Sequence, residues 1–521
     1  MQKINYRKIN IFSKLINDYL FEPDLLKSFY NQTPVLENFA EQINFKSQNF
    51  KNREDLTQIL LQQNKDCAKS VLDNVLKMKE NNTFTVITGH QLNLFTGPLY
   101  VFYKIITVIN QCQLLKENYP DQHFVPVFWM ASEDHDFDEI NHFYFNDKKI
   151  SWPIETSGPV GKISTKSINI SDFIKDFPDN ENGKKLQSLF ETAYKNHENL
   201  TQATRFLINH FFEDNGLVIV DGDDVALKKL MIPIIKEDVI NQHSFQKIND
   251  TSNHLKDYHI QINPREINWF YIQDGLRERI IFQKEKFYIN HTSLQFTKEE
   301  LVVEIENHPE RFSPNALLRP LYQEVVFPNL AYVGGAAEVA YWLELKSTFD
   351  YYHVHFPIVM LRDHVIILNQ KQSQKLEKYQ VKLEELFLNE VELGQLLSKR
   401  YGVSNVDFSR LRENLLSQFQ ELYEVVKNTD PSFKGAVLAE ETRQTKGLDK
   451  LEKRYWKAEK MRLQEKINNV LLLKAELFPR GIMQERVHNF STYYALYGDD
   501  FIRKIKEQVQ GDYDALKVVT F

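Results

Sequence analysis

The chain has 521 residues, with 64 basic against 71 acidic side chains and a formal net charge of −7. A chain this long outgrows a single hydrophobic core, so two to four domains or subdomains are expected. The charge balance offers no polyanion-binding field, which sets aside nucleic acid as the main partner, and no run of about 18 apolar residues offers a membrane span. The N-terminus, Met1-Gln2-Lys3-Ile4-Asn5, lacks the apolar segment of a secretion signal. Cys67 and Cys112 lie far apart with no CxxC spacing, the pattern of two reduced, buried thiols in a cytoplasmic protein.

Residues 1–80 read as mainly helical. Tyr6–Tyr19 leads to Leu25, Leu26, Phe29 and Tyr30, and Leu56–Met78 carries apolar residues at helical spacing. The densest chemistry follows, in Thr83–Phe145. The apolar run Phe84-Thr85-Val86-Ile87 breaks at Thr88-Gly89-His90-Gln91, and a second turn, Thr96-Gly97-Pro98, precedes an apolar-rich helix over Leu99–Leu115. A second buried run, Phe124 to Ala131, ends in Ser132-Glu133-Asp134-His135-Asp136-Phe137-Asp138-Glu139. Strand, glycine turn, helix, strand, acidic turn is the order of a βαβ crossover in a parallel sheet. Ligands of such sheets bind beyond the carboxyl ends of the strands, where both polar turns stand.

After the acidic turn, Ser151–Asp172 holds Gly158-Pro159, Gly161 and the alternation Ile163-Ser164-Thr165-Lys166-Ser167-Ile168, which predicts an inserted β-containing subdomain. Gly161-Lys162 is no phosphate loop, because the GxxxxGK[ST] spacing and its following helix are missing. A helix over Leu200–Phe212 leads to Leu217-Val218-Ile219-Val220, which reads as a buried parallel strand ending in Asp221, Asp223 and Asp224. Ala226–Ile240 is the helix after it. Residues 260–312 return to short strands, with Ile280-Ile281-Phe282 and Lys286–Ile289 set to pair as a hairpin. Then come Ser313-Pro314-Asn315 and Leu318-Arg319-Pro320, a strand over Leu330–Val333, a turn at Gly334-Gly335 and a helix over Ala336–Phe349. Free amides at that helix start can hold a phosphate or carboxylate. His355–Leu361 is a further strand, ending at Arg362-Asp363-His364.

From about residue 370 the pattern changes. Leu376, Tyr379, Leu383, Leu386, Leu393 and Leu397 keep spacings of three and four; Leu411, Leu415, Phe419, Leu422 and Val426 repeat them. After Asp430-Pro431-Ser432 a third stripe runs through Leu448, Leu451, Tyr455 and Ala458, and resumes with a slip at Leu463, Ile467, Val470 and Leu477. Narrow apolar seams between charged faces predict long helices in a coiled-coil arm, pairing within a hairpin, with a second subunit, or both. The tail beyond Leu477 turns sharply and is expected to return to the core.

The fold class is therefore α/β, a parallel-sheet core with insertions and a helical arm. No GxGxxG follows any strand, so the usual dinucleotide fingerprint is absent. The acidic turn admits three readings: a solvated run capping a helix N-terminus, a metal site, or carboxylates that hold an ammonium or hydroxyls with His135 transferring a proton. Consecutive residues converge poorly on one ion, so no fixed metal is expected. Thr88, His90, Gln91, Thr96 and Gly97 outline a polar ligand pocket. Arg319 suits a carboxylate or phosphate better than any isolated lysine, with a plain ion pair as the alternative.

Several motifs occur together: Thr88-Gly89-His90-Gln91 with Thr96-Gly97-Pro98-Leu99-Tyr100; Glu133-Asp134-His135-Asp136-Phe137 with Asn141-His142; and Ser313-Pro314-Asn315 with Leu318-Arg319-Pro320. Ala331-Tyr332-Val333-Gly334-Gly335 with Glu338, Ala340, Tyr341 and Trp342, and Phe478-Pro479 with Gln484-Glu485-Arg486, complete the set. In these the chain resembles the bacillithiol biosynthesis cysteine-adding enzymes, the BshC family, over essentially its whole length. It departs at His90, where many members have Gln, and at Tyr103, where many have His.

The resemblance implies a Rossmann-like core related to class I aminoacyl-tRNA synthetases and nucleotidylyltransferases. On that pattern the core occupies 1–150, 201–250 and 313–369, with connecting peptides inserted at 151–200 and 251–312. A dimerising coiled coil follows at 370–477, and 478–521 returns to the core. It also implies the joining of cysteine to glucosaminyl malate, the last step to bacillithiol, with cysteine activated by ATP or another nucleotide. Asp134 and Asp136 then hold an ammonium and His135 deprotonates the attacking amine. Thr88, His90, Gln91, Thr96, Gly97, Glu133, Asn141, Asn315, Arg319, Gly334, Gly335 and Glu338 bind substrate, and Gln484, Glu485 and Arg486 contact the nucleotide. A glycosyl- or nucleotidyl-transferase on the same core and a non-catalytic dimeric scaffold stay open. All of these site assignments require that segments near 90, 135, 319 and 335 meet around one cavity.

Overall fold

Five runs of β-branched and aromatic residues form the central sheet of the computed structural model, which describes residues 2–402, 406–509 and 513–521. They are β1 (Thr83–His90), β2 (His123–Met130), β3 (Val218–Asp221), β4 (Asn329–Gly334) and β5 (Ile358–Leu361). Helix α1 (Tyr100–Asn118) joins β1 to β2, α2 (Leu200–Phe212) precedes β3, α3 (Arg319–Val326) precedes β4 and α4 (Ala336–Leu343) follows it. All neighbours pair in parallel, in the order β3-β2-β1-β4-β5. Covering both faces of such a sheet leaves no polar edge along the strands, which is why they read as continuous apolar runs. Phe84, Val86, Phe124, Leu330, Val333, Ile358 and Met360 pack with Val108, Cys112 and Leu115 of α1 in one cluster. Each such side chain contributes roughly 1.5–3 kcal/mol by leaving water.

Strand order reverses between β1 and β4. The chain leaves β1 toward β2 on one side and reaches β4 on the other, so a crevice opens above their carboxyl ends. The alternation of strands and helices predicts such a parallel sheet, and the family resemblance its Rossmann-like form.

A second, antiparallel sheet is built from 269–314, in the order Gln295–Phe296, Lys286–Ile289, Leu276–Gln283, Trp269–Gln273, Phe312–Pro314. The hairpin of Ile280–Phe282 with Lys286–Ile289 is present. The alternation at Ile163–Ile168, by contrast, makes no strand. Ser164 caps a short 3-10 turn at Thr165–Ser167, the Thr165 hydroxyl bonds the carbonyl of the distant His197, and only an isolated bridge of Ser164 to Asn199 forms in place of a strand. The helix expected over Leu56–Met78 is two helices, Arg53–Gln63 and Lys69–Lys77. It stops at Asn64, which is buried and turns its side chain toward the central sheet: Oδ1 accepts from Arg205 at 3.1 Å and from the Ile219 amide of β3 at 3.3 Å. The helix read over Ala336–Phe349 also divides, into α4 and Lys346–Tyr351.

The chain separates into two compact units, one of residues 1–366 and 482–519, the other of 367–481 with 520–521. In the first, the C-terminal segment returns to the core and Ala515–Val518 pairs antiparallel with Gln2–Asn5. The second contains α5 (Gln370–Lys378), α6 (Glu390–Tyr401), α7 (Phe408–Val426), α8 (Phe433–Arg462) and α9 (Gln464–Leu477). The stripe from Leu376 to Leu397 is not continuous helix. Gln380 takes a φ of 49°, and Asn389 caps α6 afresh. Helices α7 and α8 form an antiparallel hairpin about Asp430-Pro431-Ser432, with Phe419, Val426 and Val437 buried along a narrow seam and Leu415 and Tyr423 beside them. The slip near Leu463 is the break between α8 and α9. Among the described residues no helix is long and apolar enough to cross a membrane. Cys67 and Cys112 are both unbridged, Cys112 buried and Cys67 half-buried.

Candidate active site

The crevice at the strand-order reversal holds a cavity of about 550 Å³. His90 and Gln91 reach it from the end of β1, Asp134 and His135 from beyond β2, Arg319 from α3, and Gly335 and Glu338 from beyond β4. The four segments required to meet do meet there. Thr88 helps to hold them: its hydroxyl donates to the Val333 carbonyl at 2.7 Å, tying β1 to β4 beneath the cavity floor.

One side is organised by a buried ion pair. Lys104, on the first turns of α1, donates to the Gly89 carbonyl at 2.6 Å and to Glu338 Oε2 at 2.7 Å. Glu338 also accepts the Gly335 amide at 2.8 Å and the Tyr332 hydroxyl. Burial alone would raise the Glu338 carboxyl; Lys104 and these two donors outweigh it and lower the group to about 2. The Gly335 amide, expected to be free for an anion, is thus taken by the helix's own third residue. Gly334 has no room for a side chain, since a Cβ there would meet Glu338 Cβ at 2.9 Å. Nearby, burial and then Lys104 push His90 down to about 3, so its ring is neutral, and its Nε2 has no hydrogen-bond partner.

The acidic turn splits in two directions. Glu133 borders the cavity but is bound from behind by Lys228 at 2.7 Å, which also holds Asp223 at 2.7 Å. Asp134 lies in the cavity wall. Its Oδ2 accepts from Gln91 at 2.8 Å and its Oδ1 from the His135 amide at 2.7 Å. Burial opposes ionisation of Asp134, but Arg277 at 3.6 Å and the Gln91 amide hold it below the usual carboxylate range. Arg277 comes from the antiparallel sheet and donates to His135 Nδ1 at 2.6 Å. Burial and then Arg277 depress the imidazole below its ordinary value. This corrects the role expected of His135. Its Nδ1 lone pair is spent on a guanidinium, so as placed it has an N–H to give and no free base to offer.

Arg319 is the cation of the opposite wall. Its Nη1 donates to Gln323 Oε1 at 3.0 Å, its guanidinium lies 5.1 Å from the Tyr332 ring centre, and its buried Nη2 has no hydrogen-bond partner. A Cβ at Gly89 would reach Arg319 Nη1 only at ordinary contact, 3.7 Å, but would stand 3.2 Å from the Trp129 carbonyl oxygen, so the close neighbour of Gly89 is β2. Asn315 lines the cavity but spends Oδ1 on the Leu317 and Leu318 amides at 3.0 and 3.1 Å, shaping the turn into α3.

Besides Thr88 and Gly334, which lie behind the lining, six of the expected contacts fall elsewhere. Thr96 and Gly97 lie off the cavity in a left-handed turn with Phe95, at φ values of 65°, 66° and 48°. Asn489 clamps that turn by donating to the Phe95 and Gly97 carbonyls at 2.7 and 2.5 Å. Asp136 caps the short helix Phe137–Ile140, and Asn141 closes it, outside the cavity wall. Gln484 is buried away from the cavity, and Glu485 is wholly engaged by Arg362 at 2.6 and 3.1 Å, His364 at 2.7 Å and the Val365 amide at 3.2 Å. These partners overcome burial and hold Glu485 well below the carboxylate range. Glu485 therefore acts on the site by fixing Arg362, which lines the cavity; Arg486 lines it directly.

Sequence reading missed Arg277, Tyr332, Tyr341 and Arg362 as wall residues, and Lys104 as the buried partner of the wall residue Glu338. Lys104 follows a strand-end glycine turn and Arg362 a strand end, which were usable signals. Arg277 lies in the ordinary strand Leu276-Arg277-Glu278-Arg279 and carried none.

Residues 1–363 match the family model "Bacillithiol biosynthesis BshC, N-terminal Rossmann-like domain", and residues 365–521 match "Bacillithiol biosynthesis BshC, C-terminal coiled-coil domain". A protein of Flavobacterium psychrophilum is 47% identical over 513 residues, covering 97% of each chain. One of Christiangramia forsetii is 43% identical over 530 residues, covering 99% of this chain and 98% of its own. One of Bacillus cytotoxicus is 28% identical over 522 residues, covering 95% of each. All three are described as "Putative cysteine ligase BshC". A solved structure described as a "putative arginyl t-RNA synthetase" from Campylobacter jejuni spans 91% of this chain and 99% of its own at 9% identity and a TM-score of 0.20, too slight a likeness to carry an argument.

Proposed function

This chain belongs to the BshC family of bacillithiol biosynthesis, and from that premise we propose that it is a ligase joining the cysteine carboxyl to the amine of glucosaminyl malate, the last step of the pathway. One observation supports this most directly. A single cavity sets an ionised carboxylate, Asp134, against a buried guanidinium with an unused N–H, Arg319. An amino acid presents one ammonium and one carboxylate, and a malate-bearing acceptor adds two more carboxylates. In this reading Asp134, kept in place by Gln91, receives the cysteine ammonium. Arg319 receives a carboxylate or phosphate, and Arg486 adds a second positive charge at the same cavity.

Amide formation from a free carboxylate is uphill in water, so the acyl oxygen has to be converted into a better leaving group. ATP, when bound, supplies that activation; Arg319 and Arg486 fit its phosphates, since the Arg319 Nη2 otherwise stands buried without an acceptor. The Tyr332 and Tyr341 rings beside Arg319 shield the centre from water, which strengthens each charge contact. The arm is proposed to pair two copies, using apolar side chains left exposed on it, among them Leu411, Leu422, Val425 and Leu438.

The test is mass spectrometry of the thiol product from purified protein supplied with cysteine and glucosaminyl malate, with and without ATP. Ligation by wild type is expected only with the nucleotide, and Asp134→Asn and Arg319→Ala should each fall at least a hundredfold, about 2.7 kcal/mol of lost transition-state stabilisation. Folded variants ligating at the wild-type rate would refute the assignment.

A further inference from the structure

Arg277 is a wall residue with no counterpart among the strand-end motifs. It is almost fully buried, and every part of its guanidinium is committed. Nε and Nη2 each donate to Ser313 Oγ at 3.3 Å, and Nη2 also donates to the Pro314 carbonyl at 3.1 Å. The guanidinium carbon lies 4.1 Å from the Phe270 ring centre. That leaves Nη1, which donates to His135 Nδ1 at 2.6 Å and lies 3.6 Å from Asp134 Oδ1.

An arginine has no acceptor and does not deprotonate, so the contact at Nδ1 demands a lone pair there. A neutral imidazole accepting at Nδ1 carries its hydrogen on Nε2. We propose that Arg277 is a positioning residue that fixes His135 as the neutral, Nε2-protonated tautomer, making this histidine a hydrogen-bond donor of the ligation site and not its general base. The proposal rests on the ligase reading of the cavity. The groups facing His135 are Arg277, Asp134, Asp136 and Glu278. Three of these are carboxylates that favour an imidazolium, so without Arg277 the ring would charge more readily. A charged ring would gain a second donor at Nδ1, which stands 3.7 Å from Asp134 Oδ1, and would turn toward that carboxylate. Burial and Arg277 together keep the ring below its ordinary pKa, in line with the geometry. His135 lies on the acidic turn of the parallel sheet and Arg277 on the antiparallel sheet, so the inserted sheet sets the protonation state of a core residue.

The test uses the full chain, perdeuterated with histidine-selective 13C labels, and identifies the His135 signal by its loss in His135→Gln. Wild type should show the Nε2–H tautomer, still neutral at pH 6, without any substrate present. In Arg277→Met the ring should titrate at higher pH than in wild type, since Asp134, Asp136 and Glu278 then act on it without the guanidinium. The variant-to-wild-type ratio of ligation rates should then fall at least twofold between pH 8 and pH 6, as the variant's ring charges. Arg277→Lys should keep the ring neutral at pH 6. A wild-type His135 protonated on Nδ1, or charged at pH 6, overturns the proposal without needing any variant. So does an Arg277→Met protein whose His135 titrates as in wild type. Because the tautomer is read without substrate, failure of the ligase reading would show separately, as absent product with the tautomer intact.

Discussion

Glu485 in the core unit and Glu440 in the arm are both paired with an arginine, yet the two pairs have little in common. Glu485 is fully buried and holds Arg362 through both oxygens, with His364 and a backbone amide completing its shell. Glu440 meets Arg443 at 2.8 Å, one helical turn away, with side-chain exposures of 38% and 78%. In water the second pair is screened and its Coulomb gain is nearly cancelled by side-chain entropy. In the core neither partner can fall back on solvent, so each depends on the other. The contrast shows where charge is tied to function. Two of the core's buried pairs end at the cavity wall, through Arg362 and Glu338, whereas the arm's exposed pairs keep its helices solvated around a thin apolar seam.

The largest expected effect is on the core side. Glu485→Ala would strand Arg362 and His364, and should cost about 3–5 kcal/mol in urea unfolding. A loss below about 1 kcal/mol would erase the distinction. The arm's counterpart is apolar: Phe419→Ala, in the buried α7–α8 seam, should cost about 3 kcal/mol in a thermal melt of the helical signal. Glu344 sharpens the comparison from the other direction. It is buried, accepts the Gln261 amide at 2.7 Å, leaves Oε2 without a partner, and burial pushes it up to about 7. Folding therefore favours its protonated form. That contribution is complete below the unfolded value of about 4.3 and is lost as pH rises through about 7. Glu344→Gln should accordingly raise stability by on the order of 1–3 kcal/mol at pH 8 and leave it unchanged at pH 4. An equal effect at both pH values would show that the carboxylate is not held protonated. The smallest change belongs to Arg443→Ala, whose solvent-screened pair should leave the urea midpoint almost where it is in wild type.

Much of this architecture can be read along the chain because its determinants are local. Phe84–Ile87, Phe124–Met130 and Leu330–Val333 are apolar runs closed by glycine or acidic turns, and a buried parallel strand needs little more. The polar turns at His90-Gln91 and Asp134-His135 then had to stand at strand ends, which placed them at the cavity. The hairpin break at Asp430-Pro431-Ser432 was equally visible, because proline and aspartate act on their own backbone.

The contacts that settle what each polar group does were out of reach of such reading. Asp134 and Asp136 are two residues apart and alike in type, but one meets Gln91 and Arg277 while the other caps an exposed helix. Glu485 and Arg486 are neighbours, yet one is wholly spent on Arg362 and the other lines the cavity. Periodicity and turn chemistry depend on the nearest few residues, so the order of strands and helices follows from composition along the chain. The charge, tautomer and free hydrogen-bonding capacity of a buried side chain depend on groups more than a hundred positions away, such as Arg277 for His135, and these come together only when the sheets have packed.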